Sequence, residues 1–416
     1  MHNKEDTTWD VVVIGGGPAG MMAAGKAGSL GKKVLLIEKN DSLGKKLLIT
    51  GGGRCNLTNA EFDTRKFLSN FKDSDKFLFS AFSQFSSKDT LSFFHSQGME
   101  TKVEALGRVF PFSNKSISVW TVLLEYLKKS NVTVLSNTTI TGFDTNENLI
   151  TKVKTKDRQE ILARSFILAT GGKSHPETGS TGDGFKWLTN IGHTVTEPKT
   201  SLVPIATKEV WVKRLQGISL PEVKITVIQN GEKQVTKKGK VLFTHFGLSG
   251  PTILNLSNQI GELLKYDDVS ISLDLLPNLD HGQLNFKLQE IFKDKSNKKL
   301  KNSFDGVLLS AIVPIILELS QIDGEKPSHS VTKDERMKLI NTLKNVTLSV
   351  DSLLGEDKAI ITSGGVSLEE IDFKKMASKK YNNLYIVGDL LDIDRPSGGY
   401  SLQLCWTTGY IAGENS

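Results

Sequence analysis

Two textures of apolar spacing divide the chain. Toward its ends lie short unbroken apolar runs, Asp10–Ile14, Lys33–Ile37, Ser165–Ala169 and Asn383–Val387, each followed within two residues by glycine or an acid. Runs without alternation predict strands buried on both faces. Met21–Ser29 reads as a helix between the first two strands, and Leu402–Ala412, closed by Gly413, as another. Val132–Leu135 and Thr138–Ile140 are further strand material. Between about 195 and 355 the spacing turns to alternation. Val223, Ile225 and Val227 alternate with Lys224 and Thr226, Asn230-Gly231 supplies a hairpin turn, and Val241–Phe243 resumes the strand. Val269, Ile271, Leu273 and Leu275 alternate likewise. From 281 the period lengthens, with Leu284, Leu288, Ile291 and Phe292 on one helical face. Thr332 and Glu335 form a capping box for a second helix carrying Leu339 and Leu343. Val346, Leu348 and Val350 return to strand spacing. The pattern predicts an α/β chain: a Rossmann-like domain from 1–195 and 356–416, an inserted β-rich domain from 196–278 and 345–355, and a helical subdomain at 279–344. The insert is expected to cover the cofactor and exclude water from the reacting face.

Chemistry begins where the first strand meets the first helix. Gly15-Gly-Gly-Pro-Ala-Gly20 follows the strand, the helix follows the glycines, and Glu38 ends the second strand. This is a complete strand, G-x-G-x-x-G, helix, strand, acid unit. Gly15 allows the tight turn, Gly17 admits a pyrophosphate close to the backbone, and Gly20 lets helix and sheet pack closely. The helix N-terminus then offers free N–H groups to the phosphates. Glu38 suits a ribose diol, which NAD and FAD share. Gly388-Asp389, at the end of another buried strand, adds an extended second contact suited to a ribityl chain or pyrophosphate, which points to FAD. The N-terminus of the last helix is positioned to stabilise negative charge at the flavin pyrimidine edge; a surface helix with a glycine cap is the alternative. No second complete glycine unit follows Gly20. Electrons therefore come from NAD(P)H docked transiently at the flavin, or leave to an acceptor such as oxygen.

Composition narrows the class. Hydrophobic residues make up 38% of 416 and the 37 glycines are slightly above the usual share, so the chain is an ordinary globular one. The net charge of +6 raises nucleic acid as a partner, but the lysines are mostly dispersed, and the run Lys293, Lys295, Lys298, Lys299 and Lys301 reads as a solvated helix end. Cys55 and Cys405 are the only cysteines, too few for a disulfide scaffold or a metal site. A cytoplasmic setting is expected, since the N-terminus lacks the apolar core of a signal peptide. The apolar stretch Val307–Leu319 is interrupted by Ser310, Pro314 and Glu318 and falls short of the roughly 20 residues that span a bilayer. The expected partner is a small-molecule substrate, with no membrane or nucleic-acid partner, and the oligomeric state is open.

Several motifs in order extend this reading. VIGGGPAG at Val13–Gly20, TGGGRCNLTN at Thr50–Asn59, ATGG at Ala169–Gly172 and TGDG at Thr181–Gly184 precede FTHFGLSGP at Phe243–Pro251, TSGGV at Thr362–Val366 and GDLLDIDRPSGGYSLQ at Gly388–Gln403. Nearly end to end, the chain resembles the three-domain bacterial flavoproteins of the BaiN/RdsA type, also described as NAD(P)/FAD-dependent or aminoacetone oxidase-like oxidoreductases. The resemblance implies a two-dinucleotide-binding-type fold and FAD contacts at Gly15, Gly17, Pro18, Ala19, Gly20, Glu38, Lys39, Lys46, Arg54, Cys55, Asn56, Ile140, Thr170, Gly171, Gly388, Asp389, Gly399, Tyr400, Ser401 and Leu402. Two positions depart from that family, which usually has a glycine where Arg395 stands and an asparagine where Ser401 stands. ATGG with TGDG also resembles fumarate reductase flavoprotein subunits, but their catalytic arginine and histidine framework is not recognisable, so that reaction does not transfer.

Catalytic groups are not fixed by the sequence. Cys55, His175, His193, His245 and Tyr400 are candidates, each with a plain packing or structural role as its alternative. The leading expectation is an FAD-dependent oxidoreductase acting by hydride transfer at flavin N5 on a small organic molecule. One version oxidises an amine or aminoketone and releases peroxide. A second is an NAD(P)H-dependent reductase of activated double bonds. An RNA-modifying flavoprotein and a redox sensor using the two thiols are further alternatives.

Overall fold

The computed structural model describes residues 8–355 and 361–416. They form two compact units, one from the stretches before 202 and after 355, the other from Leu202–Gly355.

The first unit is built on five parallel strands in the order Leu384–Ile386, Glu160–Leu168, Trp9–Ile14, Val34–Ile37, Thr133–Leu135. Val11, Val12 and Val13 are fully buried in the central strand, as their unbroken apolar run requires. The register aligns the strand ends: Ile386 pairs with Leu168, Leu168 with Ile14, Ile14 with Ile37, and Ile37 with Leu135. Gly15, Glu38, Ala169 and Val387 therefore leave the sheet along one edge, the carboxyl edge at which open α/β sheets bind ligands. Helix Pro18–Ser29 packs against helix Ser116–Lys129 and helix Tyr400–Asn415. The contact with the last helix is backbone-close, because a Cβ on Gly409 would lie 2.4 Å from the Ala19 carbonyl oxygen and one on Gly413 2.3 Å from that of Ala23. The last helix is accordingly a core element and not a surface one, with Leu402 through Gly409 all buried. Of the segment Thr138–Ile140, only Ile140 enters a strand, Ile140–Asn146. The residues before it are tied to the second strand's exit by the Thr138 N–H donating to the Glu38 carbonyl at 3.0 Å.

The second unit is a closed barrel of six antiparallel strands. Around the barrel they run Ile205–Thr207, Gly247–Ser249, Glu232–Phe243, Ser219–Gln229, Val269–Asp274 and Val346–Leu353, which returns to the first. Val223, Ile225, Val227, Ile271, Leu273 and Leu348 are fully buried, the alternation placing them on the inner face. Leu284, Leu288, Leu339 and Leu343, from helices His281–Asp294 and Lys333–Lys344, belong to the same hydrophobic cluster. Both helices begin with capping boxes, Asp280 with Gln283 and Thr332 with Glu335.

In the first unit His193 is completely enclosed. Its Nδ1 meets Glu370 at 2.6 Å and its Nε2 meets the Ser378 hydroxyl at 3.0 Å. That network suits a neutral ring donating from Nδ1 and accepting at Nε2. Burial pushes the His193 pKa down, outweighing the pull of Glu370. Burial works against the Glu370 carboxylate, yet hydrogen bonds from Lys380, Thr194 and His193 hold its pKa at about 2. Both shifts are depressions in the folded state, so both contributions are lost as pH falls. Stability is expected to decline from pH 6.5 as unfolded His193 gains its proton, and again from 4.5 toward 2 as Glu370 is protonated. Glu370→Gln should remove most of the second decline in acid titrations of thermal stability; an unchanged acid limb would refute this assignment.

Candidate active site

Glycines set the shape of the site. A Cβ on Gly15, whose φ is +106°, would lie 2.5 Å from the Ala169 carbonyl oxygen, and one on Gly20 would lie 1.8 Å from the Gly15 carbonyl oxygen. Strand, turn and first helix thus touch backbone to backbone. At Gly17 the reverse holds: a Cβ there meets nothing within 4 Å, because the residue faces an open cavity.

That cavity is lined by residues of the first unit alone and, counted with its opening to solvent, spans about 1220 Å³ of atom-free space. Gly15, Gly17, Pro18, Ala19, Glu38, Lys39, Lys46, Ile140, Thr170, Gly171, Gly388, Asp389, Ser401 and Leu402 line it. Glu38 is buried; its Oε2 accepts from the Gly16 N–H at 2.8 Å and its Oε1 from the Asn40 N–H and Nδ2, both at 2.8 Å. Helix Pro18–Ser29 has Gly17 as N-cap and helix Tyr400–Asn415 has Gly399, neither with a side-chain cap, so both present bare N–H groups where anions bind well. Thr170 Oγ1 is buried and without a hydrogen-bond partner at the cavity wall. Asp389 sits between Lys46, at 3.3 Å, and Arg395; burial works against its charge, but the two cations hold its carboxyl below the usual carboxylate range. An acid at the adenosine-side strand end, two bare helix ends and an unsatisfied hydroxyl fit an elongated dinucleotide, and these residues fit FAD.

Other expected contacts lie off the cavity. Gly20 acts behind it, in the helix–turn contact. Thr50 is extended and Gly51 and Gly52 are left-handed, with φ of 58° and 68°, so Lys45–Gly53 breaks sharply at its end. The break turns Arg54 outward, where it bonds Glu104 and Asn114 and lies over the Phe110 ring at 4.1 Å. Asn56, with its amide oriented to satisfy its neighbours, donates to the Thr58 and Val109 carbonyls and accepts from the Gly399 N–H at 2.9 Å. It therefore fixes the start of the last helix. Gly399 itself crosses the Thr58 backbone, which a Cβ would meet at 2.3 Å. The Tyr400 ring packs 4.9 Å from Phe67 and 5.9 Å from Phe71, and burial raises its hydroxyl pKa.

None of the candidate histidines lines the cavity. His175 pairs with Glu177 at 2.8 Å and does not line the cavity. His193 is locked in the network above, and His245 belongs to the second unit, its ring against Phe246. Cys55 is fully buried, and burial pushes its thiol up to about 12 against a hydrogen bond with Thr50. Cys405 does line the cavity, which sequence reasoning did not anticipate, but burial again pushes its thiol up to about 12. Such thiols are inert at neutral pH. Neither should react with a disulfide reagent in the native protein, and both should react on unfolding; rapid labelling of folded protein would contradict this. Asn40, Thr178–Thr181 and Asp183 also line the site. The TGDG motif was the available signal for Thr181 and Asp183, both of which contact Lys39 Nζ, at 2.7 and 3.2 Å.

Among the described residues no group of acids, histidines or cysteines could hold a metal, and no helix is long and apolar enough to cross a membrane. A 3-dehydro-bile acid delta(4,6)-reductase of Clostridium scindens is 30% identical over 96% of this chain and 97% of its own length. A ribosomal RNA dihydrouridine synthase of Escherichia coli is 29% identical, covering 98% of each chain. Among solved structures, a 3-ketosteroid-delta4-(5alpha)-dehydrogenase from Rhodococcus jostii shares the fold at a TM-score of 0.56 and 13% identity, over 99% of this chain and 98% of that one. A flavocytochrome c3 fumarate reductase does so at 0.55 and 15%, over 98% and 78%. The cofactor is FAD and the enzyme class an FAD-dependent oxidoreductase. A family model described as the HI0933-like protein Rossmann domain matches residues 9–415, and the chain belongs to that family.

Proposed function

We propose that the chain is an FAD-dependent reductase that adds hydrogen across a carbon–carbon double bond activated by a neighbouring carbonyl, drawing electrons from NAD(P)H in the cytoplasm. The carrying observation is that two relatives matched along nearly their whole length are named for such a step, one as a bile-acid delta(4,6)-reductase and one as a synthase of dihydrouridine. Bound FAD supplies the two-electron chemistry. The chain's part is to hold the ribose at Glu38, to receive the phosphates at the bare N-terminus of Pro18–Ser29, and to place Asp389 and the last helix against the remainder. Two buried thiols in a chain without a disulfide are in keeping with a reducing compartment.

Anaerobic stopped-flow spectroscopy separates this from amine or aminoketone oxidation. Fast bleaching of the flavin band by NAD(P)H, reversed under argon by a conjugated enone, is expected. Bleaching by an amine alone, followed by rapid reoxidation in air with peroxide release, would replace the proposal.

A second reading gives the double bond to a uridine in RNA. In the barrel hairpin Ser219–Phe243, Lys224 stands directly opposite Lys238, and Lys233, Lys237 and Lys240 are exposed beside them. Asp274 stands opposite Lys224 on its other flank and offsets one of these charges, which leaves a mostly cationic hairpin suited to a phosphate backbone. Retention of ribosomal RNA that weakens steeply with salt, with dihydrouridine formed after reduction, would assign the substrate to RNA.

A further inference from the structure

Asp389, on the turn after strand Leu384–Ile386, faces the cavity with a side chain 12% exposed. Lys46, also in the cavity wall, approaches it from one side. Arg395 holds it from the other, although Arg395 does not line the cavity and its side chain is fully enclosed. The same guanidinium donates from Nη1 to the Ile393 carbonyl at 2.7 Å and from Nε to the Ser401 hydroxyl at 3.1 Å. Ser401 is in the first turn of the last helix and does line the cavity. One enclosed cation thus grips, from behind the wall, two side chains that face the cofactor.

Enclosing a guanidinium is costly unless its charge is matched. Lys46 and Arg395 together contribute two positive charges against the single negative charge of Asp389, so the cluster carries a net positive charge beside the bare end of a helix. A fixed positive charge in a water-poor wall favours whichever bound state is more negative. We propose that Arg395 is a positioning residue that orients Asp389 and Ser401 toward FAD and, through its charge, makes the cavity bind reduced FAD more tightly than oxidised FAD. The inference rests on the cavity taking FAD.

The test compares wild-type holoprotein with Arg395→Lys, Arg395→Gln and Ser401→Ala, reading the FAD dissociation constant and the two-electron midpoint potential. Arg395→Gln is expected to lower the preference for reduced over oxidised FAD about tenfold, a shift of about 30 mV to more negative potential. Arg395→Lys keeps the charge but not the planar fork, so its potential should stay at the wild-type value while its FAD dissociation constant rises several-fold. Ser401→Ala should weaken FAD binding without moving the potential. Equal potentials in wild type and Arg395→Gln would overturn the charge role, as would an equally lowered potential in Arg395→Lys. Should Arg395→Gln not fold, Arg395→Lys still decides: wild-type FAD affinity there would overturn the positioning role. A wild-type protein that took up no FAD would instead overturn the cofactor reading, before any variant is compared.

Discussion

Gly20→Val is expected to yield a chain that retains no FAD through gel filtration and melts well below the wild type. The methylene-sized gap needed for any side chain is missing: a Cβ would come to 1.8 Å from the Gly15 carbonyl oxygen and 3.3 Å from the Ala169 Cβ. The obstructing atom is backbone and cannot rotate away, so helix Pro18–Ser29 must lift from the sheet. Overpacking of side chains alone typically costs about 1–3 kcal/mol, and a backbone clash exceeds that. Gly17→Ala supplies the contrast. Its φ of −79° suits any residue and its Cβ meets no protein atom, so the fold should survive while the methyl obstructs the approach of the diphosphate. A Gly17→Ala protein that melts like the wild type and binds FAD at least tenfold more weakly would fit; a Gly20→Val protein that keeps its FAD would sink the account of the turn.

Glu38→Ala should lower FAD affinity by about a hundredfold, or about 2.7 kcal/mol. The carboxylate is buried and already shapes its own surroundings by accepting from two backbone N–H groups, of Gly16 and Asn40, and from the Asn40 amide. Each buried donor left without an acceptor costs about 1–3 kcal/mol, so the truncation loosens the glycine turn as well as removing the acceptor for the ribose. Glu38→Gln is the sharper probe. It retains the shape and one carbonyl oxygen, but its NH₂ group must face donors, so it should fall between wild type and alanine in titration calorimetry. Affinity within threefold of wild type in Glu38→Ala would remove this residue from the site.

What was legible in the sequence follows from how local each cause is. The unbroken runs Asp10–Ile14 and Lys33–Ile37 and the glycines between them encode backbone geometry over a few residues, and the structure places them where the spacing implies. Alternation at Val223–Val227 and Val269–Leu275 disclosed sheet, but closure of six strands into a barrel depends on which distant edges pair, and no short pattern carries that. The fates of Arg54 and Tyr400 were illegible for the same reason. Arg54 is claimed by Glu104 and Asn114, and Tyr400 by Phe67 and Phe71, partners on segments that carry no recognisable motif. Arg395 shows the limit most clearly. Before Pro396 and three residues ahead of Gly398-Gly399 it reads as a loop residue, and only the fold brings Asp389, Ser401 and Lys46 around it.

The packing of helix Pro18–Ser29 against helix Tyr400–Asn415 has a consequence for biosynthesis. A growing chain makes the first strand and glycine turn early, yet the surface that covers Ala19 and Ala23 arrives only with Gly409 and Gly413. Until then the face of helix Pro18–Ser29 that carries Ala19 and Ala23 stands uncovered on the ribosome, open to chaperones, and the cavity lacks the part of its wall that Ser401, Leu402 and Cys405 supply. FAD uptake is therefore a report that translation has run to the last helix, and a ribosome stalled before residue 400 should carry a nascent chain that cannot hold the flavin.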